Sequence, residues 1–430
     1  MENKRLQIED NMVITQQKMI EALINKGVRI PCPESVEIGS DVHIDRISGE
    51  NVTLHASSKI YGDKTLILPG VTIGEEAPAT IKNCFLGPNV RLKGGFFDGA
   101  VFLDHAEMGS GAHVRKGTIL EEYASGAHTV GLKQTILLPF VTLGSLINFC
   151  DCLMAGGTSR KDHSEVGSSY IHFNYTPNQD KATPSLIGDI PNGVMLNQSP
   201  IFLGGQGGLV GPCRIAYGSI IAAGSIYRRD IFKQDQLVMD GAMRHASISF
   251  TKGLYQTINR IVDNNVIYIA NLIALAHWYY YIRRLWANNP MTAALYDGLM
   301  TTLKSGIDER IKQMKRFSEK MPDSINEYKK MMSSPEKNMP MINAKQAVYD
   351  RWDEVAYGFQ SAFPPSSLVI DESFISSVDR LKNDSYIDSI KSLDKATQHQ
   401  GTQWLQNIVD TMYKDASDIL PECKLGNKNG

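Results

Sequence analysis

Cysteine is scarce in this 430-residue sequence, which argues against a secreted fold held together by disulfides. Only six cysteines are present: Cys32, Cys84, Cys150, Cys152, Cys213 and Cys423. Disulfide frameworks need a denser pattern in a shorter chain, so the sequence predicts a reducing, cytoplasmic location. Cys150 and Cys152 are two residues apart, so in a strand both sulfurs would lie on the same face. No second Cys or His cluster at zinc-finger spacing accompanies them. We therefore predict no metal site.

The chain also lacks an excess of charge and lacks a long apolar run. It has 44 basic and 46 acidic residues and a net charge of −2, so we expect neither a nucleic-acid partner nor a membrane-surface partner. Residues 1–17 are charged where a signal peptide would be apolar, so export is not expected. The apolar stretch 266–282 is interrupted by Asn271 and His277 and is shorter than a membrane span, which predicts a buried helix.

A six-residue period is present between about residues 30 and 246. Neither a helix nor an ordinary strand has this period, whereas a parallel β-helix does, because three six-residue units form one triangular coil. A barrel or sandwich would instead show strands about 8–12 residues apart with hairpin dipeptides. The clearest series of inward-pointing residues, with small residues four positions after its first four members, is Leu203, Leu209, Ile215, Ile221 and Tyr227.

From about residue 250 the apolar residues recur with a helical period, and the predicted fold is therefore mainly β with a separate α part. Residues 1–29 are predicted to form a helical cap on the first coil, since exposed strand edges need cover. Residues 30–246 are predicted to form the β-helix, with an extruded loop at about 156–184. Residues 247–430 are predicted to form an α-helical domain.

Residues 166–175 and 185–231 resemble a known family of hexapeptide-repeat acyltransferases. Val166-Gly167, Ser168 and Asn174-Tyr175 align without a gap with a motif of the acetyltransferase domain in the bifunctional N-acetylglucosamine-1-phosphate uridylyltransferase/glucosamine-1-phosphate acetyltransferase. The run IAAGSIYRRDI, residues 221–231, resembles a second motif of that domain. The resemblance implies a left-handed β-helix, a homotrimer, and acetyl-CoA bound in the groove between subunits.

The resemblance also implies site residues and shows two departures from the family. Nothing resembles the uridylyltransferase half, so the chain is not expected to make the UDP-sugar. The ungapped register places Asp151 at the position of the catalytic histidine, whereas a short gap places Asn148 there. The implied acetyl-CoA contacts are Ser168, Asn174, Tyr175, Ala223 and Arg244. The implied substrate contacts are Lys181, Glu165 and Met154, the last two replacing an asparagine and a tyrosine of the family.

The missing histidine leaves the catalytic base open. His163, His172 and His128 are nearby candidates, and His163 is preferred because its loop is charged and extruded. A free aspartate has a pKa near 3.9, so Asp151 is a weaker base by about three units, or about 4 kcal/mol. We therefore expect little acetylation of glucosamine-1-phosphate, and any transfer should depend on His163 rather than Asp151. The sequence predicts an acetyltransferase-like protein acting on a sugar phosphate or nucleotide sugar; the alternative is a catalytically inactive β-helix that binds a sugar nucleotide or serves as a scaffold.

Overall fold

A parallel β-helix and a group of packed helices make up the structure, a computed structural model that describes residues 16–239, 247, 249–330, 339–365 and 370–426. The solenoid has about 11 turns, and the predicted left-handed β-helix followed by a helical region is confirmed. Helix α1, residues 16–26, precedes the first coil.

Short strands separated by tight corners form the coils. In chain order they are β1 (Glu37–Ile38), β2 (Thr53–Leu54), β3 (Lys59–Tyr61), β4 (Leu66–Ile67), β5 (Thr72–Ile73), β6 (Ala79–Lys82), β7 (Phe85–Leu86), β8 (Arg91–Leu92), β9 (Gly95–Asp98), β10 (Ala100–Phe102), β11 (Glu107–Met108), β12 (Ala112–Val114), β13 (Thr118–Leu120), β14 (Ser125–Gly126), β15 (Gly131–Leu137), β16 (Thr142–Leu143), β17 (Asn148–Met154), β18 (Gly157–Ser159), β19 (Asp162–His163), β20 (Glu165–Val166), β21 (Ile171–Phe173), β22 (Ser185–Ile187), β23 (Phe202–Leu203), β24 (Gly208–Val210), β25 (Arg214–Ile215), β26 (Ile220–Ile221), β27 (Ile226–Tyr227) and β28 (Leu237–Val238).

The strands stack in parallel on three faces of a triangular prism. Face 1 consists of β1, β3, β6, β9, β12, the first parts of β15 and β17, and β21, β24 and β27. Face 2 consists of β4, β7, β10, β13, the second parts of β15 and β17, and β22 and β25. Face 3 consists of β2, β5, β8, β11, β14, β16, β20, β23, β26 and β28. We call the corners between them the 1–2, 2–3 and 3–1 edges.

The six-residue series is the core of the last coils, as predicted. Leu203 on face 3 pairs with Ile221 one coil later, and Leu209 on face 1 pairs with Tyr227. Each pair is separated by three six-residue units, because each unit supplies one face. All five inward residues of the series are at most 8% exposed. Burial of a large aliphatic side chain is worth about 1.5–3 kcal/mol, so the stacked rows hold the coils together.

The corners need residues in the left-handed backbone region. Such a φ costs a residue other than glycine of order 1–3 kcal/mol, and here the neighbouring coils fix it by hydrogen bonds. Positive φ values occur at Asn83, Gln134 and Asp151 on the 1–2 edge, at His105, Tyr123 and Phe140 on the 2–3 edge, and at Thr129, Leu146 and Ser169 on the 3–1 edge. Because Asp151 bends β17, Cys150 lies on face 1 and Cys152 on face 2, rather than on one strand face.

The segment 156–184 contains two separate excursions from the coil. The hairpin β18–β19 leaves at the 2–3 edge and is antiparallel. The chain then returns to the prism as β20 on face 3 and β21 on face 1. Residues 174–184 leave again at the 1–2 edge, before β22. A further excursion after β22 contains the short helix α2 (Ile190–Gly193).

The C-terminal region is helical, as predicted. The stretch 266–282 lies mostly within a buried helix that continues as a π turn, Trp278–Ile282, and a 3₁₀ turn, Arg283–Trp286. Among the described residues, no helix is long and apolar enough to cross a membrane. The helices are α3 (Asn259–His277), α4 (Pro290–Ser318), α5 (Met321–Lys330), α6 (Met339–Ser361), α7 (Glu372–Leu381), α8 (Tyr386–Lys391) and α9 (Lys395–Ile419).

These helices cover face 2 of the prism. Helix α4 packs on β4, β7, β10 and β13, and α3 packs on β22. The approach is close, since a Cβ on Gly298 would lie 2.3 Å from the ring of Phe85. Buried polar contacts join the two parts: Arg283 pairs with Glu122, and the Tyr279 hydroxyl donates to Glu121 at 2.6 Å. Among the described residues, the helices therefore leave faces 1 and 3 of the solenoid open.

Candidate functional site

The structure separates the predicted site residues into two groups. Glu165, Ser168 and Ala223 lie on face 3 or on the 3–1 edge, and His163 lies in the β18–β19 hairpin at the 2–3 edge beside face 3. Of the remaining described ones, Asp151, Asn174, Tyr175 and Lys181 lie at or near the 1–2 edge, beside the helices, and Met154 ends the face-2 part of β17. Arg244 falls outside the described residues.

The second group is organised by a buried ion pair. The Asp151 carboxylate lies 2.7 Å from the guanidinium of Arg310 on α4, and both side chains are at most 4% exposed. The Asn174 amide donates to the other carboxylate oxygen at 2.6 Å, and Arg310 donates to the Lys181 carbonyl at 3.2 Å. Both carboxylate oxygens of Asp151 are thus bound by side chains of the same chain. This arrangement supports the expectation that Asp151 is not the base.

The other members of this group differ in their access to solvent. Met154 is fully buried, paired in register with Leu137 and Ile187, and its side chain packs in the core of the prism. Tyr175 is 58% exposed at the start of the excursion 174–184. Tyr175 therefore has access to a ligand, whereas the Met154 side chain does not.

A ladder of small and polar residues runs up the 3–1 edge. Its members occupy equivalent corner positions in successive coils, which are joined by backbone hydrogen bonds. The Ser145 amide donates to the Ser168 hydroxyl at 3.1 Å, and the Ser145 hydroxyl lies 2.8 Å from Nδ1 of His128. We call this set the edge ladder; it consists of Ser110, His128, Ser145, Ser168, Gly205 and Ala223.

A trough of about 390 Å³ crosses face 3 next to the edge ladder. Its floor includes Glu107, Ser125 and Thr142, which point outward from successive coils. One wall contains His128 of the edge ladder, and the opposite wall contains Tyr123 on the 2–3 edge. The volume lies within the range of about 300–1,000 Å³ that is usual for small-molecule sites.

The wall on the 2–3 edge is aromatic. His105 stacks on Tyr123 with ring centroids 4.8 Å apart, and Tyr123 stacks on Phe140 at 5.8 Å. These three residues have positive backbone φ values and occupy the same corner position in successive coils, so the stacking of the coils places their rings one above another. Of the three, His105 and Tyr123 line the trough, and their rings give it an aromatic wall against which a ring or an acyl chain can pack.

The charges of the trough are distributed unevenly. At one end Lys93 lies 2.6 Å from Glu107 and 3.3 Å from Glu76, and the contact with Glu107 raises the pKa of the lysine. At the other end Arg160, from the turn of the β18–β19 hairpin, lies 5.8 Å from the Tyr123 ring centroid. Within the described part of the chain, no carboxylate forms an ion pair with Arg160. It is therefore available to an anionic ligand group.

The hairpin also places His163 beside this trough. Its Nδ1 lies 2.9 Å from the Arg160 carbonyl, and its Nε2 lies 3.6 Å from Glu165. Glu165 follows Thr142 of the trough floor on the outward row of face 3. His163 and Glu165 thus border the trough at the same end as Arg160.

The sequence did not indicate the trough, because its residues are spread over 85 positions, from Glu76 to Arg160. His105, Tyr123, Lys93 and Arg160 meet only when coils of unequal length are stacked in the right register. The aromatic or histidine residues recurring at the 2–3 corners were the one available signal. Among the described residues, no group of three or more His, Cys, Asp or Glu side chains could hold a metal ion.

Comparisons with known proteins identify relatives but no matching family model. Three curated proteins called "Bifunctional protein GlmU" are similar to this chain. The protein from Thermotoga petrophila is 27% identical over 217 residues, the one from Geotalea uraniireducens 26% over 230, and the one from Acinetobacter baumannii strain AYE 28% over 240. The matches cover 50%, 53% and 54% of this chain and 43%, 45% and 46% of the relatives, so the chain spans less than half the length of these relatives.

Proposed function

We propose that the protein is an acetyltransferase-like enzyme, because its β-helix fits a hexapeptide-repeat acetyltransferase domain related to GlmU. Its acceptor is a sugar phosphate or a nucleotide sugar, and its donor is acetyl-CoA. The observation that carries this proposal is the position of Ser168 and Ala223, both exposed on the 3–1 edge, on the same edge ladder that reaches the trough at His128. The six cysteines are all free, which supports a reducing cytoplasmic location.

The donor would lie along the 3–1 edge. Ser168 and Ala223 are separated by two coils, or roughly 10 Å at the usual inter-strand spacing of about 4.8 Å. That distance suits an extended pantetheine arm whose amide groups bond to exposed backbone groups. Asn174 and Tyr175 lie across face 1 from this edge, so a donor that also contacts them would have to lie between two protomers.

A homotrimer would supply such a groove. Faces 1 and 3 carry exposed apolar residues on both sides of the 3–1 edge near its C-terminal end, and apolar rows of this kind bury well against copies of themselves. Face 2 is already covered by the helices of the same chain. The exposed apolar residues are Ile171 and Ile226 on face 1, and Phe202, Ile220 and Leu237 on face 3.

Replacing Ile220 with glutamate should therefore dissociate the trimer, because a charge would be buried in the interface. Light scattering after size exclusion should give three times 47.7 kDa for the wild type and 47.7 kDa for Ile220→Glu. Thr72→Glu is the matched control, since Thr72 lies on the same outward row at its polar end. A wild-type mass of one chain would contradict the homotrimer.

Thiol release from acetyl-CoA tests the reaction. We expect release with an amino sugar carried on a nucleotide, such as UDP-glucosamine. We expect little with glucosamine-1-phosphate, because Asp151, at the position of the histidine that serves that acceptor in the family, is bound to Arg310. Ala223→Tyr should raise the KM for acetyl-CoA about tenfold or more by blocking the edge. Lys116→Tyr, at an exposed position on the 1–2 edge, should leave it unchanged.

A second function is favoured by the same ion pair. If the contacts of Asp151 and Asn174 with the helical region have replaced the catalytic arrangement, the β-helix binds a sugar nucleotide without turnover. Calorimetric binding of UDP-glucosamine or UDP-N-acetylglucosamine, combined with no thiol release from any acceptor, would establish this alternative and overturn the acetyltransferase.

A further inference from the structure

The three candidate histidines differ in whether a ring nitrogen remains available. His172 is buried: its Nδ1 lies 2.6 Å from the Cys150 carbonyl, and its Nε2 lies 2.8 Å from the Ser185 hydroxyl. Burial lowers its pKa to about 4. His163 has the Arg160 carbonyl at one nitrogen and Glu165 near the other. Both rings are thus engaged by their own neighbours.

His128 is placed differently. It is exposed in the wall of the trough, and its Nδ1 is held by the Ser145 hydroxyl at 2.8 Å. Among the described residues, its Nε2 has no hydrogen-bond partner. Ser145 in turn donates its amide to the Ser168 hydroxyl. One ring nitrogen is therefore fixed by the edge ladder while the other is open to a ligand in the trough.

We infer that His128 is the catalytic base of this protein and that Ser145 is its positioning residue. The inference rests on the proposed acetyl transfer and replaces His163, the base predicted from sequence. With Nδ1 protonated and donating to Ser145, the lone pair is at Nε2 and faces the acceptor. A donor that lies past Ala223 and Ser168 brings its thioester down the same edge towards His128.

The step balances without another reactant. The neutral amine of the acceptor attacks the thioester carbonyl carbon, a C–N bond forms, and the C–S bond breaks. The proton lost by the nitrogen passes to Nε2 of His128 and then to the departing thiolate. The products are the N-acetylated sugar and CoA with a free thiol, and His128 is neutral again.

Thiol release with acetyl-CoA and UDP-glucosamine tests the assignment. His128→Asn should lower kcat by about 10²–10⁴-fold, the usual contribution of a general base, with the calorimetric affinity for acetyl-CoA changed less than about threefold. His113→Asn is the matched control, because His113 is exposed on face 1 and stacked on Phe96, outside the trough. Ser145→Ala should lower kcat about tenfold at unchanged KM, and Ser145→Thr should restore it.

The outcomes separate this inference from the proposed function. If the wild type releases thiol and His128→Asn does so at the same kcat, or if His163→Asn loses more activity than His128→Asn, the assignment to His128 is overturned and the acetyltransferase stands. If the wild type releases no thiol, both are overturned. If Ser145→Thr fails to restore kcat although its melting temperature equals that of the wild type, the positioning role of the hydroxyl is overturned.

Discussion

Replacing Arg310 with methionine is expected to lower the free energy of unfolding by about 3–5 kcal/mol, because it leaves Asp151 as an unpaired buried charge. Arg310 is the partner of the Asp151 carboxylate and also donates to the Lys181 carbonyl. Thermal unfolding followed by circular dichroism should show a lower melting temperature for Arg310→Met. Adding Asp151→Asn should recover part of the loss, since the stranded charge is then removed.

Lys315→Met is the control for this prediction. Lys315 lies on the same helix as Arg310 and pairs with Asp353, but the two side chains are 38% and 73% exposed. Exposed pairs contribute about 0–1 kcal/mol, so this substitution should change stability little. Equal losses in Arg310→Met and Lys315→Met would show that the buried pair has no special role.

Stability should also depend on Glu121 between about pH 4.5 and 7. Its side chain is buried beneath the helices, and one carboxylate oxygen accepts the hydroxyl hydrogen bond of Tyr279. Burial raises the pKa of Glu121 to about 7. Over this interval the folded protein therefore binds more protons than the unfolded chain, and the free energy of unfolding falls as pH rises, by up to about 3 kcal/mol.

Glu121→Gln should remove this dependence. Across the interval, the melting temperature of Glu121→Gln should rise relative to that of the wild type as pH rises. Glu34→Gln, at an exposed position, is the control. His172 acts in the opposite sense, because its lowered folded pKa makes stability increase from about pH 4 to 6.5. The comparison is therefore between variant and wild type at each pH. A constant difference between the two would contradict the prediction.

The periodic part of the fold was predictable because one local rule repeats. Leu203, Leu209 and Ile215 point inward for the same reason, so a six-residue spacing is enough to identify the coil and its core. The excursions were less predictable. The chain returns to the prism as β20 and β21 within the segment that the sequence predicted to be one loop. These strands have only two and three residues, too few to show as a separate pattern in a polar sequence.

The candidate site was only partly predictable. Ser168 and Ala223 lie together on one edge because both belong to regular coils at the C-terminal end. The partner of Asp151 could not be predicted, since Arg310 follows it by 159 positions and belongs to a helix without a sequence signal for docking on face 2. The role of His128 depends on Ser145 in the next coil. Because the coils differ in length, the sequence spacing alone does not show that these two residues are neighbours.

The cover on face 2 has a consequence for synthesis of the chain on the ribosome. The N-terminal coils emerge first, yet Glu121 and Glu122 find their partners 158 and 161 positions later. Helix α4 is complete only at Ser318. At 5–20 residues per second, roughly 4–16 s pass between the end of the last coil and the end of that helix. During this time face 2 of a nascent prism is not yet fully covered, and Glu121 and Glu122 lack partners until Tyr279 and Arg283 have been made. We therefore expect translation speed and chaperone occupancy to affect the yield of folded protein.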